Sequence, residues 1–135
     1  MDIELQKVFT CAENINVYNC GEIKNYSANR NEYKLILDSW NKMISEAHDM
    51  PAFGVSLNNE TVKAMKKGLW VEFDFNKVYE SNGMPYEKLL IEVKEDNYGF
   101  NLIRYSKERG YDGRCFYYDL VNKNMSEFYN LISNL

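Results

Sequence analysis

Three of the four arginines in this lysine-preferring chain, Arg104, Arg109 and Arg114, fall within one predicted hairpin. A guanidinium is a planar fork of donors that matches a carboxylate or phosphate. If Leu102 faces Phe116 across the hairpin, Arg104 faces Arg114 where the apolar stripe stops. Like charges placed opposite each other destabilise a sheet unless an anion, a carboxylate or an aromatic face compensates. The three arginines are therefore the candidate binding residues for a small anion or a carboxylate ligand. Internal pairing, or stacking on Tyr or Trp, is the competing reading.

Other reactive side chains are sparse. The single histidine, His48, is expected at the C-terminal end of a long helix beside Asp49, where a cation is favoured, and nothing around it has zincin, Cys-His or nucleophile-elbow spacing. Cys115 follows Arg114 but reads as a small apolar strand residue. Glu72, Asp74, Glu92 and Asp119 alternate out of an apolar face and read as solvated strand carboxylates. The sequence implies no catalytic set, no metal site and no cofactor.

The elements that would position these residues follow from periodicity. Between Leu69 and Val121 four runs present apolar residues at period two: Leu69, Val71, Phe73 and Phe75; Leu89, Ile91 and Val93; Tyr98, Phe100 and Leu102; Phe116, Tyr118 and Leu120. This pattern predicts a half-buried antiparallel meander. A ten-residue loop, Asn76 to Pro85, is expected between the first two strands. Lys94 to Asn97 should pair Val93 with Tyr98 and Ile91 with Phe100, and Ser106 to Gly113 should form another long tip.

Before the meander, Asn29 and Glu32 resemble a capping box. Tyr33, Ile36, Leu37, Trp40, Met43, Ile44 and Ala47 then make an apolar helical stripe ending near His48 or Asp49, ahead of Pro51. Ala52 to Leu57 alternates like a strand, and Asn58 is placed to cap a short helix that Gly68 terminates. At the N-terminus, Lys7 to Ala12 and Ile15 to Tyr18 could form a hairpin across Glu13-Asn14. Asn19-Cys20-Gly21 reads as a turn and Glu22 to Arg30 as a surface connection. Asn124 with Glu127 opens a C-terminal amphipathic helix carrying Phe128, Leu131, Ile132 and Leu135. The expected fold is one α+β domain over residues 1–135. Its four-stranded antiparallel meander, with one or two extra strands, packs on the long helix through Val71, Ile91, Phe100 and Tyr118.

The meander's second face carries Trp70, Leu90, Ile103, Tyr105, Cys115 and Tyr117, more aromatic than a freely solvated face. Cover by the N-terminal segment or the C-terminal helix is one explanation. The other is an interaction surface formed by Trp70, Leu90, Ile103, Tyr105 and Tyr117, for a protein partner or a homodimer.

Composition narrows the partner class. A net charge of −4 and a pI near 5.1 argue against nucleic acid and anionic lipid. No apolar run suggests a membrane span. Three cysteines without C-x-x-C spacing and an N-terminus without a signal-peptide core point to a reducing cytoplasm. The Lys, Asn and Tyr bias suggests an A+T-rich bacterial genome. Taken together these features favour a non-enzymatic interaction or regulatory module, with a small-anion or carboxylate-binding protein or enzyme using Arg104 and Arg114 as the alternative.

Overall fold

The computed structural model describes residues 2–50 and 54–135. Among these, an α+β fold is built on a seven-stranded antiparallel sheet: β1 (Asn14–Asn19), β2 (Glu22–Ser27), β3 (His48–Met50), β5 (Leu69–Ser81), β6 (Met84–Glu92), β7 (Gly99–Tyr105) and β9 (Phe116–Asp119). Their spatial order is β2-β1-β5-β6-β7-β9-β3, and β4 (Val55–Ser56) pairs separately with β8 (Gly113–Arg114). The helices are α1 (Leu5–Val8), α2 (Asn31–Ile44), α3 (Asn58–Ala64) and α4 (Ser126–Ser133), with a 3-10 turn at Phe9–Cys11. The sheet is thus wider than the expected meander, whose four strands form its centre.

On one face the period-two stripes meet the helices. Trp40 of α2 is completely buried among Phe9, Phe73, Phe100 and Phe128, with ring centroids 4.9–5.5 Å away. Ile36, Ile44 and Ile132 fill the space around these rings. Burial of each large side chain here stabilises the fold by about 1.5–3 kcal/mol before entropy is counted.

Several local expectations are corrected. The first strand does not stop at Phe75. It continues, with a shift of register between Asp74 and Tyr79, to Ser81, and the connection to β6 is the two-residue turn Asn82-Gly83, with φ of +52° and +75°. Asn-Gly supplies the two positive φ angles of a type I′ turn, which closes a right-twisted hairpin without the ten-residue loop. Between β6 and β7, Leu90 faces Ile103 and Lys88 faces Tyr105. That register is offset by two residues from the expected pairing. A two-residue shift leaves every side chain on its original face, but it carries Tyr98 out of the ladder, where it is 56% exposed.

The N-terminal hairpin lies one element later than expected. Residues 5–11 are helical, and β1 turns through Cys20-Gly21, at positive φ, into β2, in place of a surface connection. Helix α2 starts at Asn31 and ends at Ile44. No side chain caps its first turn, and Asn29 bonds Ser27 instead. His48 is therefore an exposed strand residue opposite Asp119, not a helix terminus. The first part of the expected Ala52 to Leu57 strand, together with Pro51, lies outside the described residues. Val55 and Ser56 form the strand that is seen.

Candidate functional site

The second face of the sheet is organised around a charge. Glu72 in the middle of β5 points away from α2 and α4, between Asn16 of β1 and Leu90 of β6, and is completely buried. This corrects its reading as a solvated strand carboxylate. Four side chains converge on it. The Tyr18 hydroxyl donates to Oε1 over 2.9 Å, the Tyr111 hydroxyl to Oε2 over 2.5 Å and the Asn16 amide to Oε1 over 3.4 Å, while the Lys88 ammonium stands 3.9 Å from Oε1. Lys88 also lies 4.7 Å from the centre of the Tyr105 ring, which packs at 5.0 Å against Tyr111. Burial, followed by the charge and hydrogen bonds of Glu72, raises both Tyr18 and Tyr111 above the ordinary tyrosine pKa. The carboxylate's acceptor sites are thus largely taken, and Glu72 holds the face together.

A flap made by α3 and the 106–112 loop lies over this network. Met65, at the end of α3, and Tyr111 bury Trp70 and Leu90, with Tyr18, Ile103 and Tyr105 packed at the edges. These elements provide the cover that the N-terminal segment or the C-terminal helix was expected to give. Two reciprocal bonds tie the parts of the flap. Asp112 Oδ1 accepts the Asn58 backbone N–H over 2.6 Å, and Asn58 Oδ1 accepts the Tyr111 N–H over 3.0 Å. The α3 cap therefore comes from the distant loop, whereas the sequence assigned it to the Asn58 side chain. Ser106 and Gly110 exchange two backbone bonds that close the loop. Gly110 sits at φ +60°, and a Cβ there would lie 2.3 Å from Asn58 Oδ1, so this approach requires glycine. The Ser56 hydroxyl donates to the Tyr111 carbonyl.

The predicted interaction residues accordingly have different environments. Trp70 and Leu90 are buried, and the Trp70 indole N–H donates to the Lys67 carbonyl over 2.8 Å. Ile103, Tyr105 and Tyr117 remain half-buried. Tyr105 lines an open groove of about 790 Å³ with Leu57, Val62, Arg109 and Tyr111. Ile103 and Tyr117 line a separate, smaller hollow of about 190 Å³ with Trp70 and Glu92.

The arginines are distributed differently from the sequence expectation. The Leu102–Phe116 pairing is present, but the β7–β9 ladder ends there. Beyond it the chain leaves the sheet, and Val55 pairs with Arg114. Arg104 therefore reaches backbone instead of standing opposite a second guanidinium: Nε donates to the Arg114 carbonyl over 2.7 Å and Nη1 to the Pro85 carbonyl over 2.8 Å. Arg104 and Arg109 line one cavity of about 160 Å³ with Ser106 and Asp112, and Arg114 is not among its lining residues. Burial, and then the positive charges of Arg109 and Arg114, hold the Arg104 pKa below that of an ordinary guanidinium.

Cys115 is buried and its thiol is pushed up by burial, the opposite of nucleophile activation. Among the described residues no group of three His, Cys, Asp or Glu side chains is placed to hold a metal ion, and no helix is long and apolar enough to cross a membrane. No protein-family model matches the chain, and neither the curated proteins nor the solved structures searched contain a match.

Proposed function

We propose that this is a cytoplasmic protein-interaction module that docks another polypeptide on the second face of its sheet, through the groove beside α3. The observation that carries this reading is the character of the flap. Val55, Leu57 and Val62 are 68%, 59% and 44% exposed, and Leu57 and Val62 rim the groove of which Tyr105 is a wall. Exposed aliphatic residues next to tyrosine, with Lys107, Arg109, Glu60 and Glu108 around them, have the apolar centre and charged rim of a protein-binding surface. Free thiols at Cys11, Cys20 and Cys115 suit a reducing compartment.

The partner is proposed to be a different polypeptide. A two-fold dimer through this face would draw on Trp70 and Leu90, and both are already covered by the chain's own flap. Catalysis draws little support, because the buried carboxylate is surrounded by donors and the cysteine is inert.

Photo-crosslinking in the host cell tests this reading. A photoreactive residue at position 57 or 62 should yield a defined heavier adduct. The same residue at Leu35, which is exposed on α2, should not. Leu57→Asp or Val62→Asp should abolish the adduct formed from the other position without lowering the melting temperature. Equal adducts from positions 57 and 35, or none from 57 and 62, would refute docking at the groove.

A further inference from the structure

The cavity beside Arg104 has the construction of an anion pocket, and it adjoins the groove proposed for polypeptide docking. Its main cation is fixed. Two N–H groups of Arg104 are committed to the Arg114 and Pro85 carbonyls, and among the described residues neither Nη2 nor the second N–H of Nη1 has an acceptor. Gly113, at φ +136°, makes room for that guanidinium, since a Cβ there would lie 3.0 Å from Nη2. Arg109 forms no side-chain hydrogen bond or ion pair among the described residues. Its backbone N–H donates to Ser106 Oγ over 3.2 Å, so the Ser106 hydroxyl keeps its proton for another acceptor. Asp112 is the acid of the cavity, and its Oδ1 already accepts the Asn58 N–H.

We infer that this cavity binds the oxyanion group, phosphate or carboxylate, of a small ligand through Arg104 Nη2, Arg109 and the Ser106 hydroxyl. About 160 Å³ accommodates such a group. The adjoining groove shares Tyr105, Arg109 and Asp112 with the cavity, so the remainder of the ligand would lie along Tyr105 and Tyr111. A preorganised guanidinium that needs no reorientation favours planar, bidentate recognition.

Calorimetric titration of the full chain with inorganic phosphate and with succinate, against a chloride control of equal ionic strength, tests the inference. Saturable binding of at least one probe is expected, and the tighter probe identifies the ligand class. Arg109→Gln should weaken that binding about tenfold or more, and Ser106→Ala by a smaller factor. Lys34→Gln removes the same charge from the exposed side of α2, away from both cavity and groove, and should leave binding nearly unchanged. Melting curves establish that each variant is folded. Heats no larger than those of chloride, or equal weakening by Lys34→Gln and Arg109→Gln, would overturn the site. Neither result bears on crosslinking at position 57 or 62.

Discussion

On its helical side the sheet is held by rings packed against rings, with Trp40 at the centre and Phe9, Phe73, Phe100 and Phe128 around it. On the opposite side the centre is the Glu72 carboxylate, and the cover is a short helix and a loop joined by the Asn58–Asp112 exchange. The first side can be assembled from many hydrophobic shapes and tolerates approximate fit. The second depends on particular donors reaching one acceptor pair, and it loses disproportionately when one partner is missing.

The largest effect should come from the first side. Trp40→Ala leaves a cavity ringed by aromatics and should cost about 3–5 kcal/mol, read as a drop in the urea midpoint. Glu72→Ala should follow at about 2–4 kcal/mol, because it strands the Tyr18 and Tyr111 hydroxyls in a buried site. A Glu72→Ala protein as stable as the parent would mean that the second face is held by apolar contact alone and that the contrast between the faces is false.

Tyr111→Phe is milder, about 1–2 kcal/mol near neutral pH, and carries a pH signature. Tyr18 and Tyr111 are raised by burial and by Glu72, and burial pushes Tyr86 up to about 12. In the unfolded chain these hydroxyls ionise from about pH 10, whereas in the native state they stay protonated to higher pH. Their contribution is complete below about pH 10 and is lost as the pH rises from there through the folded values. Denaturant melts should show stability falling above pH 10, less steeply in Tyr111→Phe than in the parent. Asp112→Ala, which removes the distant cap of α3, should give the smallest loss, about 1 kcal/mol, concentrated in the flap.

The difference between the faces also explains what could be read from the sequence. Alternation in Val71, Phe73 and Phe75 and the Tyr33 to Ala47 stripe report burial directly, so the central strands and α2 were visible. Asn82-Gly83 carried the hairpin signal, yet the run before it resembled a loop because Asn76, Lys77 and Val78 of β5 are exposed. The strand character of β2 was hidden for the same reason: Glu22, Ile23, Lys24 and Asn25 are all exposed on an edge strand. Glu72 could not be identified as buried, because its partners Tyr18, Lys88 and Tyr111 come from three separate segments and alternation assigns a face without showing what covers it. The arginine cluster was found by composition, but its membership changed. Arg104 and Arg109 share a cavity because the chain leaves the ladder after Phe116, a departure that no periodicity records.

Native-state hydrogen exchange tests the contrast between the two faces most directly. The N–H groups of Thr61, Met65, Gly110 and Tyr111 are bonded within the flap, and those of the central strands lie within the sheet. Flap amides should exchange through local opening at least about tenfold faster than central-strand amides, with little dependence on low denaturant. Glu72→Ala should widen that gap. A single exchange free energy shared by the flap and β5–β6, unchanged by Glu72→Ala, would contradict it and would make the flap part of the same rigid core as Trp40.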